Sequence, residues 1–201
     1  TMIAVAASRH RTRESMLSML AGTLAGPALG QRVVYVGERP RFYLEKQYVV
    51  LLLTDHHHYK KTLSYAPRMS ADYLFIEHCK DYDDINVAMH ASASQHVIFG
   101  IDASDPTDAL VNLTSAPEGG RLAHRLGAIL YLDAATMKVV EMTQPLRDAV
   151  GAAQRPESMR RMVEKEVEEG SPLLGQSMEL SPGDIFGDSP LGGGAGRKSR
   201  G

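Results

Sequence analysis

Apolar runs of strand length alternate with segments of helical period over the first two-thirds of the chain. The strand-like runs are MIAVAA (2–7), RVVYVG (32–37), one or two strands within 42–53, DYLFIEH (72–78) and HVIFGID (96–102). Helical period occurs over 13–24, over 56–66 up to Pro67, and over 81–93. This alternation predicts an α/β fold with a mostly parallel sheet and helices on its faces.

The first helical segment has a broad apolar face. Its members are Met16, Leu17, Met19, Leu20 and Leu24. Because residues three and four apart share one side of a helix, we expect this face to pack on the sheet.

The chain from Pro106 onward has a different pattern. Pro106 begins a helix, a short helix follows Gly119-Gly120, and AILYL (128–132) with MKVVEMT (137–143) predicts a β-hairpin. Helical period then resumes. We therefore divide the chain into a core over 1–144, a helical C-terminal extension over 145–187, and a Gly-rich tail over 188–201 that we expect to be disordered.

Composition removes several classes of protein. The formal net charge is −2, with 22 Lys and Arg against 24 Asp and Glu, so the chain has no overall attraction to nucleic acid or anionic lipid. The single cysteine, Cys79, excludes an internal disulfide framework and favours a reducing compartment. The longest apolar runs are far shorter than the roughly 20 residues of a membrane-spanning helix.

The start of the chain contains no recognisable signal peptide, because the apolar residues 2–7 run directly into Ser8, Arg9 and His10. The chain enters a strand at once, and we expect that an upstream segment has been removed.

Three consecutive histidines, His56, His57 and His58, invite comparison with metal sites. Consecutive side chains point in different directions on a helix or strand, whereas ligands that face one ion need other spacings. We therefore predict no metal site.

The segment after the first strand is the place to look for chemistry, because ligands of open α/β sheets bind beyond the carboxyl ends of the strands. A phosphate-binding loop there needs glycines, whose backbone N–H groups turn inward around the phosphate. The sequence has no glycine from Met2 to Leu20 and instead carries Arg9, Arg11 and Arg13. The order of elements fits phosphate binding, and the residues do not.

Four segments occur in a familiar order and spacing: MIAVAASRHRTRESMLSML, VVYVGERPRF, YKKTLSYAPRMSADYLFIEHCKD and SASQHVIFGIDASDPTDAL. In them the chain resembles the type II/type IV secretion ATPase superfamily, with a layout similar to type IV pilus retraction motors. They match its P-loop, its acidic "Asp box", its Walker B strand and its "His box". The resemblance spans about residues 2–180 and implies a RecA-like P-loop-NTPase-type core.

The P-loop segment departs most from the family pattern. In one register Thr12 stands on the P-loop lysine and Arg13 on the hydroxyl residue. In a register one residue later, Arg13 stands on the lysine. Neither register restores a glycine or a lysine.

The other three segments are also incomplete. Glu38 keeps its family identity in the "Asp box", His78 stands where the family has its Walker B carboxylate, and His96 stands on the first histidine of the "His box" while Ala103 stands on the second. The resemblance therefore implies that no catalytic set is intact and that no cofactor is expected.

These departures favour a catalytically degenerate subunit with a structural or regulatory role in a type IV pilus or a type II/IV secretion machine. The resemblance implies a protein peripheral to the inner membrane, at its cytoplasmic face, with no nucleic acid partner. Its expected partners are other machine subunits, among them an active homologous ATPase, in a homo- or hetero-hexamer.

Two alternatives remain open from the sequence. One is an active ATPase that binds ATP and Mg²⁺ with Arg13 and Ser15 at the phosphates and uses Glu38 or His78 for water. The other is an anion- or nucleotide-sensing module in which Arg9, Arg11 and Arg13 form the clamp.

Overall fold

The computed structural model describes residues 1–26, 28–38, 48–55, 57–115, 118–133 and 137–152. The described strands form one seven-stranded sheet in the order β3-β2-β4-β5-β1-β6-β7. They are β1 (Met2–Ala7), β2 (Val33–Gly37), β3 (Val49–Leu53), β4 (Tyr73–Ile76), β5 (His96–Asp102), β6 (Leu126–Leu132) and β7 (Met137–Glu141).

Neighbouring strands are parallel except for β6 and β7, which are antiparallel. The predicted α/β fold with a mostly parallel sheet is confirmed, and so is the predicted hairpin. Residues 134–136 of its turn lie outside the described residues. The same is true of the first part of 42–53, from which β3 is the described strand.

Six α-helices connect or follow these strands. They are α1 (His10–Leu24), α2 (Tyr59–Tyr65), α3 (Tyr82–Ala91), α4 (Pro106–Thr114), α5 (Gly119–Arg125) and α6 (Gln144–Ala152). Asp81 and Asp105 cap α3 and α4, each accepting a hydrogen bond from a backbone N–H in the first turn. Pro67 lies inside a 3₁₀ turn, Ala66–Arg68, that continues α2, because proline is tolerated where no intrahelical N–H is needed.

The core lies on both faces of the sheet. On one face α1 packs on Val5, Tyr35, Phe75 and Ile98. On the other face the remaining helices cover a larger apolar cluster that includes Phe99. The carboxyl ends of β1, β2, β4 and β5 therefore share one edge of a sheet that is covered on both sides.

The predicted apolar face of α1 does pack on the sheet, with Leu17, Met16, Leu20 and Leu24 against the apolar cluster, but it is not the most deeply buried part of the helix. The buried residues of α1 are Arg13, Glu14, Leu17, Ser18 and Ala21, of which the prediction included only Leu17. Small side chains at 18 and 21 allow close packing on the sheet, and the two charged residues find polar partners there. The other predicted residues are half-buried, and all of them except Met19 pack against the apolar cluster.

The first described part of the predicted C-terminal extension packs on the core. Leu146 and Val150 of α6 are buried in the larger apolar cluster. Arg147 donates hydrogen bonds to the carbonyl oxygens of Ala123 at 3.2 Å and Leu126 at 3.0 Å. Residues 153–187 of the extension and the tail over 188–201 lie outside the described residues. Among the helices described here, none has the length and apolarity to cross a membrane.

Candidate functional site at the carboxyl edge of the sheet

The connection between β1 and α1 is very short. β1 ends at Ala7 and α1 begins at His10, so that only Ser8 and Arg9 lie between them. In the part of the chain that the structure describes, Gly30 is the only residue with a positive φ, and it lies far from this connection in the sequence. The backbone here therefore lacks the left-handed residues that turn successive N–H groups toward a phosphate.

Arg13 is the most unusual residue of this edge, because its side chain is fully buried. It passes directly over Gly100 of β5. A Cβ atom at position 100 would lie 2.7 Å from Cδ of Arg13 and 2.9 Å from its Nε. Glycine at this position therefore provides the space through which the guanidinium reaches the carboxyl edge.

The guanidinium of Arg13 ends in a small polar network. Its Nη1 donates to Oδ1 of Asp102, the last residue of β5, and its Nη2 donates to Nδ1 of His10 at 2.8 Å. Because Nδ1 accepts this bond, His10 carries its proton on Nε2, which lies 3.0 Å from Oε1 of Glu14. The other oxygen of Asp102, Oδ2, lies 3.2 Å from Nε2 of His78. Asp102 thus joins the buried arginine to His78.

A second set of contacts ties β4 to β2. Glu77 is buried, and its Oε2 accepts a 2.6 Å hydrogen bond from the backbone N–H of Glu38. Its side chain crosses Gly37, where any Cβ would collide with it. The ammonium of Lys80 lies 3.3 Å from Oε1 of Glu38 and 4.8 Å from the centre of the Tyr59 ring.

These side chains surround a cavity of about 320 Å³ at the carboxyl edge. Its lining carries the carboxylates of Glu38, Glu77 and Asp102 against one ammonium, that of Lys80. The guanidinium of Arg13 lies beneath the lining and is paired with Asp102. The cavity therefore has an excess of negative charge, which disfavours a polyphosphate.

His78 does not offset this charge at neutral pH. Burial, together with the nearby Arg13 guanidinium, lowers the pKa of His78 to about 4, although Asp102 acts in the opposite direction. The imidazole is therefore neutral at pH 7, with its Nε2 3.2 Å from Oδ2 of Asp102. The hydroxyl of Tyr59 donates to the carbonyl oxygen of His78, and burial raises the pKa of Tyr59.

The structure brings three of the predicted site residues together. Arg13, Glu38 and His78 all lie around this cavity or directly beneath it. Arg9 and Arg11 are exposed, whereas Arg13 is buried. Arg11 lies two residues before Arg13 on the helix and therefore faces another side, and Arg9 is the extended N-cap residue before the helix. Ser15 is half-buried and lies beyond Arg13 along α1.

His96 lies at the opposite edge of the sheet. It is the first residue of β5, and its ring is 5.1 Å from that of Tyr73 at the start of β4. It lines a larger cavity, of about 620 Å³, at the amino-terminal edge. His96 and His78 therefore do not belong to one site.

Sequence reasoning missed four residues of the carboxyl-edge network: Asp102, Glu77, His10 and Lys80. Asp102 and Glu77 end or directly follow buried strands, so the rule that ligands bind beyond strand ends was sufficient to find them. The role of His10 had no such signal, because it depends on where α1 begins.

The described residues contain no cluster of three or more His, Cys, Asp or Glu side chains arranged to hold a metal ion. His57 and His58 are exposed, and His56 lies outside the described residues. Cys79 is buried, and this burial raises the pKa of its thiol well above the usual value.

Comparison with known proteins gives matches by structure and none by sequence. No family model and no curated protein matches this sequence. The ATPase DotB of Legionella pneumophila superposes with a TM-score of 0.69 at 12% identity, over 86% of this chain and 53% of DotB. The pilus retraction motor PilT, solved with bound ADP, gives 0.66 at 11% identity, over 94% of this chain and 61% of PilT.

The VirB11 ATPase of the Brucella suis type IV secretion system, solved with sulphate, gives a TM-score of 0.56 at 16% identity, over 80% of this chain and 51% of VirB11. At such identities the likeness is one of fold, and it confirms the RecA-like core of secretion and pilus ATPases. The chain spans about half of DotB and VirB11, and somewhat more of PilT.

Proposed function

We propose that this chain is a catalytically degenerate member of the type II/type IV secretion ATPase superfamily, with a structural or regulatory role in a secretion or pilus machine. The shared fold supports the family role. The observation that carries the loss of activity is the connection between β1 and α1, where Ser8 and Arg9 replace a phosphate-binding loop.

Two residues are too few to wrap around a phosphate. A phosphate-binding loop surrounds the phosphates with the N–H groups of several consecutive residues, among them glycines. Here the first turn of α1 starts directly after Arg9, which is itself in an extended conformation with φ −117° and ψ 118°.

The side chains support the same conclusion. A phosphate-binding lysine must reach the ligand, whereas Arg13 is fully buried and already bound to Asp102 and His10. The carboxylates that line the cavity repel a nucleotide triphosphate, and the neutral His78 adds no compensating charge. This arrangement weighs against an ATPase that uses Arg13 at the phosphates, and equally against a three-arginine clamp.

The same proposal includes an assembly, which we infer from the family role. The chain works at the cytoplasmic face of the inner membrane, in a homo- or hetero-hexamer with other machine subunits that include an active homologous ATPase. It needs no cofactor of its own.

An ATP turnover assay on the full chain with Mg²⁺ tests the proposal. We expect no phosphate release above that of the His78→Ala variant. Turnover that this substitution abolishes would contradict the proposal and favour an active enzyme with unusual site chemistry.

A further inference from the structure

The larger cavity of the molecule lies at the amino-terminal edge of the sheet, opposite the candidate site. Its volume is about 620 Å³, which is within the usual range of small-molecule sites. Two segments form most of its wall: residues 67–73, which lead into β4, and residues 92–96, which lead into β5. We call this cavity the amino-edge groove. The proposed function gives it no role.

A buried glutamine joins the two walls of the amino-edge groove. Gln95 is 7% exposed, and its Nε2 donates a 3.0 Å hydrogen bond to the carbonyl oxygen of Pro67. The backbone N–H of His96 donates to the carbonyl oxygen of Asp72 at 3.0 Å. These two bonds hold the turn before β4 against the start of β5. The groove is therefore pre-formed by the fold.

The charged side chains of the groove leave one positive charge without a counter-ion. Nη2 of Arg32 lies 3.2 Å from Oδ1 of Asp72, and the backbone N–H of Arg32 donates to Oδ2 at 2.8 Å, so these two charges offset each other. Arg68 lies over the ring of Tyr65, 5.5 Å from its centre, and among the described residues it forms no ion pair. The edges of its guanidinium are available to an anion.

The backbone of the same wall adds hydrogen-bond donors. Ser70 and Ala71 line the groove, and no group among the described residues accepts from their backbone N–H groups. Oε1 of Gln95 is a buried acceptor that receives no hydrogen bond from the described part of the chain. Two N–H donors next to an arginine are suited to an oxyanion, and the amide oxygen is suited to a donor on the same ligand.

The structure assigns the amino-edge groove to a small ligand that carries one carboxylate and an N–H or O–H donor, with Arg68 as the partner of the carboxylate. A carboxylate matches the planar fork of a guanidinium, and its single charge matches the one cation that has no counter-ion here. A nucleoside triphosphate would bring several negative charges next to the carboxylate of Asp72, which disfavours it. This inference goes beyond the proposed function and does not depend on it.

An NMR titration of the full 201-residue chain with N-acetylglycine, at constant ionic strength, tests the inference. We expect saturable shifts of the backbone amide signals of Ser70 and Ala71, because their N–H groups border the bound carboxylate. N-acetylglycinamide, in which a neutral amide replaces the carboxylate, is the ligand control and leaves these signals in place. Arg68→Gln raises the dissociation constant of N-acetylglycine by about tenfold or more, since it removes a charge-assisted pair of hydrogen bonds.

Arg11→Gln is the matched control variant, because Arg11 is also an exposed arginine but lies in the first turn of α1, at the carboxyl edge. It leaves the dissociation constant unchanged. Shifts that stay linear with concentration, that the neutral amide reproduces, or that both variants weaken equally overturn the inference. Inorganic phosphate that binds more tightly than N-acetylglycine also overturns it, because the groove would then not select a carboxylate. ATP turnover bears only on the proposed function, so the two fail independently.

Discussion

At the scale of single residues, the carboxyl edge of the sheet is built around a buried arginine that is neutralised by an exposed aspartate. The Arg13 side chain is inaccessible to solvent, whereas that of Asp102 is 61% exposed. A buried cation is costly unless a carboxylate stays beside it. Asp102 therefore matters more to the fold than its exposure suggests.

We expect Asp102→Ala to lower the free energy of unfolding by about 2 kcal/mol, because it leaves the Arg13 guanidinium buried without its counter-ion. Urea denaturation measures this. Asp83→Ala is the control, since Asp83 is also an exposed aspartate paired with a cation, but that cation, Lys60, is itself exposed. The control remains within measurement error of the wild type. Equal effects of the two substitutions would contradict the role given to Asp102.

Gly100 tests the path of the Arg13 side chain. A methyl group there would collide with Arg13 and with the Glu77 carbonyl, so we expect Gly100→Ala to cost about 2 kcal/mol or more in urea denaturation. Gly120→Ala is the matched control, because a Cβ at position 120 meets nothing within 4 Å. An unchanged stability in Gly100→Ala would show that Arg13 does not take this path.

His78 makes stability depend on pH. Its folded pKa of about 4 lies below the ordinary value of 6.5, so the folded protein binds a proton less readily than the unfolded chain does. Stability is therefore full above pH 6.5 and falls as the pH drops from 6.5 to 4. Because His78 is partly exposed, we expect this loss to be about 2 kcal/mol rather than the full value of the shift.

Urea denaturation at several pH values measures the loss, with His78→Gln as the control that cannot titrate. The prediction fails if the two proteins lose the same stability between pH 6.5 and 4.

At the scale of secondary structure elements, α1 begins against the local rules. Arg9 occupies its N-cap without a side-chain hydrogen bond to the backbone, and its first turn contains no acidic residue. Arg9 and Arg11 also bring positive charge to the positive end of the helix dipole. This end of α1 is therefore less stable than a helix start with a good cap.

We expect Arg9→Asp to raise the free energy of unfolding by about 1 kcal/mol, through a new cap and a favourable charge. Thermal denaturation with Arg9→Gln as the control separates the cap from the loss of the arginine charge. A destabilising Arg9→Asp would mean that Arg9 has a partner that the fold needs.

The positions of strands and helices were more predictable from the sequence than the helix faces that are buried. Strand positions such as 2–7 and 96–102 agree with the structure because continuous apolar runs of this length have few alternatives in an α/β pattern. The burial of Arg13 and Glu14 on α1 was not predictable, because it depends on partners on β5 and within α1 itself. Such partners are distant in sequence or depend on where the helix begins.

The position of the candidate site was predictable from the sequence, whereas the set of residues that forms it was not. The rule about strand ends directed attention to the segment after β1, and the resemblance to the family motifs placed Glu38, His78 and His96 in one set. The structure separates His96 because a strand has two ends, and His96 begins the strand that Asp102 ends. Matching motif positions along a sequence does not say which edge of the sheet each residue occupies.

At the scale of the whole molecule, a RecA-like fold similar to that of the solved secretion and pilus ATPases carries only two residues, Ser8 and Arg9, between β1 and α1. The sheet order, the packing of helices on both faces and the antiparallel β7 form a coherent core. At the carboxyl edge Asp102 already supplies a negative charge to the Arg13 guanidinium. This arrangement is the basis of the proposed structural or regulatory role in place of ATP turnover.

The most direct test of this account is a calorimetric titration of the full chain with ATP and Mg²⁺. We expect no saturable heat of ATP binding at millimolar ATP. Saturable binding, weakened in Arg13→Met, would contradict it, because the Arg13 guanidinium would then be available to the phosphates rather than bound to Asp102.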